Sequence, residues 1–299
     1  MTGWARRQKK RLHWADLVIA LILILFFGYV WTQIDGKLNY KWRWELIPNY
    51  LFRYDDEAGG WTANFLILGL INTIRISIYA SLLAIVLGII LGIGRTAKNL
   101  TVRMLARTYL EFLRNIPPLV VIFIFFFFLS EQLIAALNIE AWAYAIARSE
   151  NNGVWEFFFG DMRRFPSLIS GIIVLALFES AFVGEIVRAG IESIAKGQRE
   201  AARSLGMSWL DEMRFIILPQ ALRKVLPPLA NLFISLIKDS AIISLISVQD
   251  LTRRAVELAN STRLIFETWI TTAALYFVLC FGLSLLFRHL EARSNRVKL

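Results

Sequence analysis

The chain has 299 residues, of which 57% are hydrophobic and 19% charged, with a net charge of +10 and a mean hydropathy of +0.55. Soluble domains carry about 25% charged residues, so an ordinary soluble enzyme is excluded and an integral membrane protein is indicated. The single cysteine, Cys280, sits in an apolar run and excludes a disulfide framework. The only histidines, His13 and His289, lie beside basic clusters at the two ends, so no metal site is expected.

Crossing about 30 Å of hydrocarbon takes roughly 20 residues. On that basis the sequence predicts an all-α protein with about six transmembrane helices, near 15–34, 62–94, 104–137, 166–190, 219–248 and 265–289. The first follows the basic run Arg6, Arg7, Lys9, Lys10 and Arg11 but ends in Trp31-Thr32-Gln33, with no small-residue cleavage site, and is read as a retained anchor. Ala84, Gly88 and Gly92 form a small-residue ridge on the second helix, suited to close helix packing. Pro117-Pro118 is expected to end any helix arriving from 104, giving a short segment followed by a reoriented span rich in Phe123 and Phe125 to Phe128. The connections 35–61 and 138–165 hold Trp42, Trp44, Trp61, Trp142 and Trp155, which suits the membrane interface. Residues 1–61 are read as a basic tail, a first helix and an outer loop, and residues 62–299 as the membrane core, with no internal repeat.

The basic residues are sorted by connection. Five precede the first helix, five lie from Arg95 to Arg114, seven from Arg188 to Lys224 and four from Arg288 onward. The alternate connections hold four, three and three, with Arg75 and Lys238 inside helices. This bias places both termini in the cytoplasm of a multi-pass protein. The excess charge therefore reports topology, and nucleic-acid binding is not expected.

The 197–210 loop, between the fourth and fifth helices, is more regular than a connection requires. Ala202, Leu205 and Trp209 recur at three and four residues, Arg199, Glu200 and Arg203 lie around them, and Gly206 breaks the element. The pattern describes a short amphipathic helix presented to the cytoplasm, either on lipid headgroups or in a partner's groove. Its spacing carries more. Glu200-Ala201-Ala202, Gly206 four residues on, then Ile216-x-Leu218-Pro219 resembles the EAA loop of the membrane-spanning subunits of bacterial ATP-binding cassette importers. The flanking stretches Glu185 to Ile191, Leu218 to Arg223 and Ser235 to Ser240 are similar to the polar amino acid permeases of the histidine, glutamine and arginine type. The resemblance runs from about Leu70 to the C-terminus.

It implies a non-enzymatic permease of the cytoplasmic (inner) membrane, an importer half moving polar amino acids. A second permease subunit, the same or paralogous, a cytoplasmic ATP-binding subunit and an extracytoplasmic substrate-binding protein would complete it. The loop would be the coupling helix, with Glu200, Ala201, Ala202, Leu205 and Gly206 as its coupling residues, and Ala201, Ala202 and Leu205 seated in the ATPase. ATP and Mg would belong to that partner, since this chain has no G-x-x-x-x-G-K-[ST] phosphate cradle.

Ionisable groups within membrane helices are costly unless they face a partner or a wet cavity. Arg75, Glu179, Lys238 and Asp239 qualify, and Asn231, Ser235, Lys238 and Asp239 form one stripe on the fifth helix at i, i+4, i+7 and i+8. Thr73, Ser77 and Ser81 do the same on the second. Acids and bases in one path suit the ammonium and carboxylate of an amino acid. The alternative is that Lys238 pairs with Glu179 or Asp239 as a brace between helices, as Glu185 is expected to brace Arg188. An ion-gradient-driven secondary transporter would also use such charges, but it usually shows repeated halves and broken helices.

Overall fold

The computed structural model describes residues 14–37, 40–56, 59–149 and 152–296. The basic run Arg6 to Arg11, His13 and Lys298 lie outside the described residues. The chain divides into two compact units, one ending at Trp44 and the other beginning at Glu45. The first holds α1 (Trp14–Lys37), nearly every side chain of which between Leu17 and Tyr29 is exposed. Trp42 stacks on Trp44 at 5.9 Å.

The second unit opens with α2 (Ile47–Leu51) and a hairpin, β1 (Phe52–Asp55) against β2 (Gly60–Ala63), antiparallel with Phe52 opposite Ala63. The hairpin departs from the all-helical expectation. Its cause is local, because Tyr54 and Trp61 face each other across the pair in an edge-to-face contact of 5.8 Å. There follow α3 (Phe65–Arg95), α4 (Leu100–Asn115) and α5 (Pro118–Phe125), which passes through a π turn at Phe126–Ser130 into α6 (Glu131–Ala136). The outer segment forms α7 (Ile139–Ala147) and α8 (Gly153–Phe159). Then come α9 (Phe165–Glu192), α10 (Lys196–Ser204), the single turn α11 (Trp209–Asp211), α12 (Leu218–Asp239), α13 (Leu251–Thr262) and α14 (Ile265–Arg296).

Among the described residues, five stretches are long and apolar enough to cross a membrane: Phe65–Arg95, Pro118–Ala136, Met162–Glu192, Trp209–Ile246 and Ile265–Arg293. The first predicted helix, 15–34, exists as α1, but its apolar stretch Asp16–Val30 is shorter. The predicted 104–137 helix is two elements. Asn99 caps α4 by accepting from the Thr101 and Val102 amides, and Pro117-Pro118 ends it. The predicted outer loop after 248 is largely helix, because Asp250 caps α13 and Leu251, Ala255, Leu258 and Ala259 bury one face.

Helix α9 is the hub, packing on α3, α4, α5 and α12, whereas α14 exposes most of its surface. The α3–α9 contact is possible because Gly88 and Gly92 meet Val183 and Val187. A Cβ at Gly88 would lie 2.4 Å from the Val183 Cβ, and one at Gly92 2.7 Å from the Val187 Cβ. The small-residue ridge is therefore the seam of the bundle.

Candidate functional site

The loop between α9 and α12 is folded onto its own chain. Helix α10 closes in a Schellman motif, in which the Met207 amide donates to the Ala202 carbonyl and the Gly206 amide to the Arg203 carbonyl. Gly206 takes φ +75 with open space around it, so its conformation and not its size calls for glycine. Two side chains tie the element down, and a third joins the helices that flank it. Arg199 Nη2 donates to the Ile191 carbonyl at 2.9 Å, Arg203 Nε pairs with Glu212 Oε2 at 3.2 Å, and Lys224 Nζ donates to the Ser193 carbonyl at 2.9 Å.

Of the five coupling candidates, Glu200, Ala201, Leu205 and Gly206 face outward, with Leu205 81% exposed, while Ala202 is 3% exposed. Ala202 is thus covered by this chain itself, whereas the expectation seated it in the partner. The helix buries its Ala202 side and offers Ala201 and Leu205, extended past the glycine by Leu210 at 70% exposure.

Above the loop, Glu185 of α9 joins three helices. It accepts from Arg95 of α3 at 2.7 Å and Arg188 at 2.5 Å, and lies 3.5 Å from Arg114 of α4. Arg95 also reaches Glu111 at 3.3 Å, Arg107 pairs with Glu111 at 2.8 Å, and Arg188 pairs with Glu192. The expected Glu185–Arg188 brace is thus one edge of a larger network.

The polar groups within the spans separate into two sets. On α12, Asn231 and Lys238 are exposed and Ser235 and Asp239 half-buried, and Asp239 is near enough to Glu179 of α9 for their charges to interact. Glu179 is 1% exposed and its Oε2 has no hydrogen-bond partner among the described residues. Among those residues no ion pair joins Lys238 to Glu179 or Asp239, so the brace alternative is not formed. Arg75 belongs elsewhere. Its guanidinium donates to Asn72 Oδ1 at 3.1 Å and to the Glu156 and Phe157 carbonyls at 3.2 and 2.8 Å, holding the end of α8 against α3. Thr73 and Ser77 are fully buried, and Thr73 Oγ1 accepts from the Leu251 amide, so they pack the bundle and do not line a path.

Sequence reasoning passed over the 138–165 segment and the start of α13. The segment docks through Trp142, Trp155, Phe159 and Phe165, whose neighbouring rings lie 5.2 to 6.0 Å apart, and through Tyr79 against Phe159. Asp250, before an apolar repeat at i, i+4 and i+7, was the available cap signal.

Residues 84–296 match the family described as "Binding-protein-dependent transport system inner membrane component". That match covers most of the membrane core, including α10 and its tethers. The chain belongs to this family. The permease is 34% identical to a probable glutamine ABC transporter permease protein, GlnM of Bacillus subtilis, across 76% of this chain and 92% of the relative. It is 33% identical to the L-cystine transport system permease protein TcyB of the same organism, across 76% of this chain and 86% of that relative. A solved amino acid ABC transporter crystallised with histidines superposes with a TM-score of 0.60 at 33% identity, covering 77% of this chain and 94% of that one. The methionine ABC transporter MetNI, at 15% identity and a TM-score of 0.52, shares the fold. The permease is thus a multi-pass inner membrane protein and a transmembrane subunit of an ABC transporter, which favours ATP drive over an ion gradient.

Proposed function

We propose that the permease imports polar amino acids as one of two membrane subunits, the same or paralogous. A cytoplasmic ATP-binding subunit holding ATP and Mg would dock on the 197–210 loop. An extracytoplasmic substrate-binding protein would deliver the cargo, and both termini would lie in the cytoplasm. The observation that carries this reading is the loop itself. Large apolar side chains, Leu205 and Leu210, are displayed on an element that is capped and tied at two points, an arrangement suited to receiving force from a docked partner. The names of the relatives, glutamine and cystine permeases, support the substrate class.

In this reading Glu179, Asn231, Ser235, Lys238 and Asp239 line the pathway. Glu179 and Asp239 would meet the ammonium and Lys238 the carboxylate. Arg75 is left out on its geometry. A buried carboxyl oxygen without a donor is costly, and a passing ammonium supplies one to Glu179.

The test is purification of the tagged chain from native membranes in mild detergent. A stoichiometric ATPase subunit that is lost on Leu205→Asp is the expected result, together with amino acid uptake that falls in Lys238→Met at unchanged membrane level. A preparation free of ATPase that moves amino acids in liposomes under an ion gradient would overturn the proposal.

A further inference from the structure

At the end of the bundle opposite α10, a cleft of about 790 Å³ opens between the start of α3, the α8–α9 junction and the residues leading into α13. Its chemistry is concentrated in Arg75, Glu156, Asp161, Arg164, Gln249 and Arg254, three cations and two carboxylates in a wall otherwise of mixed character. Most of these groups are occupied. Arg75 is spent on Asn72 and the α8 carbonyls, and Arg164 lies 3.6 Å from Asp161.

Arg254 and Gln249 are not. Arg254 Nε and Gln249 Oε1 are both shielded from solvent and lack a hydrogen-bond partner among the described residues. Arg254 is positioned firmly: its guanidinium lies over the Phe65 ring at 4.5 Å, and its side chain fills the space over Gly69, where a Cβ would come within 2.9 Å of Arg254 Cγ. Gln249 is fixed through Nε2, which donates to Glu257 Oε1 at 3.0 Å, and through its backbone carbonyl, which accepts from Asn72 Nδ2 at 3.0 Å. The wall of the cleft thus holds one positioned guanidinium and one positioned amide, each with a polar atom left unpaired. Burial, then the Arg164 cation, work against the charge on Arg254 and outweigh the support of Glu257 and Asp161, holding its pKa below the ordinary value.

We propose that this cleft is a receiving site for a small zwitterion, in which the Arg254 guanidinium takes a carboxylate and Gln249 Oε1 accepts from the ammonium of the same molecule. It rests on the reading of the permease as an amino acid importer, and adds to it a station at the mouth, separate from the Glu179–Lys238–Asp239 path. Arg suits the role because its planar fork bonds a carboxylate in two places, which a lysine ammonium cannot.

The test uses the intact reconstituted transporter with Cys280→Ser and Ser167→Cys, the latter an almost isosteric thiol on the cleft wall. The rate of N-ethylmaleimide labelling is measured against added L-glutamine and against L-glutaminol, which keeps the ammonium and lacks the carboxylate. Labelling is expected to slow with L-glutamine and not with L-glutaminol. Arg254→Met should abolish protection, and Arg254→Lys should raise the half-protecting concentration roughly tenfold, the equivalent of one charge-assisted hydrogen bond. If Arg254→Met does not reach the membrane, the Lys variant carries the test. Equal protection by both compounds, none by either, or an unchanged concentration in Arg254→Lys overturns the site. Glutamine uptake by the same vesicles keeps the two readings apart. Uptake without protection removes the cleft alone, while protection by L-glutamine in vesicles that import no amino acid removes the transport assignment alone.

Discussion

Asp250 makes the stability of the permease depend on pH in a direction opposite to that of most carboxylates. It is fully buried, caps α13 by accepting from the Arg253 amide at 2.8 Å, and receives the Tyr276 hydroxyl of α14 at 3.4 Å. Thr252 also donates to it, and the charged residues that follow on α13 are Arg253, Arg254 and Glu257. Burial outweighs the donors and pushes the carboxyl from its ordinary 3.8 up to about 7. Between those two values the folded protein holds a proton that the unfolded chain has released, so the contribution of Asp250 to stability is most favourable below about pH 4 and is lost as pH rises toward 7. At about 1.4 kcal/mol per pH unit, the loss over that window is on the order of 4 kcal/mol. Asp250→Asn keeps the side-chain oxygen that caps α13 and removes the ionisation. In nanodiscs, its apparent melting temperature should match the parent below about pH 4 and exceed it by a growing margin up to about pH 7. Asp250→Ala should instead lose about 1 kcal/mol of capping at low pH, where the ionisation no longer contributes. An Asn variant whose melting temperature follows the parent's pH slope would refute the argument.

Gly88→Ala places a Cβ 2.4 Å from the branched Cβ of Val183, so α3 and α9 must part. Membrane levels of the folded protein should fall, and because alanine at 183 would keep the clashing Cβ, it is Val183→Gly that should restore part of them in the double variant; failure of that rescue would locate the damage elsewhere. Gly206→Ala forces an L-residue into the left-handed region at about 1–2 kcal/mol. Because nothing crowds the site, the cost should appear as fraying of α10 in hydrogen exchange, with the spans unaffected. Glu185→Gln leaves Arg95, Arg114 and Arg188 facing one another, and should cost about 1–3 kcal/mol at low ionic strength, less where the groups meet solvent. Added salt should close the melting gap to the parent, because it screens the repulsion.

The spans were legible because hydrocarbon demands long apolar helices, and the ridge Ala84-Gly88-Gly92 because close packing leaves few residue types. What the sequence hid was direction. A charge inside a helix announces that it needs a partner without naming one, and Arg75 found backbone carbonyls of α8 more than 80 residues away instead of a substrate path. Ala202 was read as a contact for a partner because helical spacing marks a face and not what covers it. The chain itself covers that face. The start of α13 was missed for a different reason. Its polar side, with Arg253 and Arg254, resembles a charged loop until Asp250 is recognised as a cap, and the unpaired groups of the outer cleft exist only once three distant segments meet.

The loop's tethers make a last prediction about force. Arg199 ties α10 to the end of α9, and Arg203 ties it to Glu212, which opens the π turn Glu212–Ile217 that runs into α12. A partner pushing on Leu205 therefore moves α9 and α12 together, and these helices carry Glu179 and Asp239. The two ties are not equivalent, because the Glu212 side chain is only 3% exposed whereas Arg203 is 58% exposed. Arg203→Met strands a buried carboxylate at a cost of about 1–3 kcal/mol and frees α12 from α10 while leaving the α9 tie. The ATPase should still copurify and hydrolyse ATP, but the substrate moved per ATP should fall, with Arg203→Lys restoring part of it because the charge returns without the guanidinium geometry. An unchanged ratio in Arg203→Met would mean that α9 alone transmits the stroke. Loss of the ATPase from the purified complex would mean instead that Arg203 belongs to the docking surface.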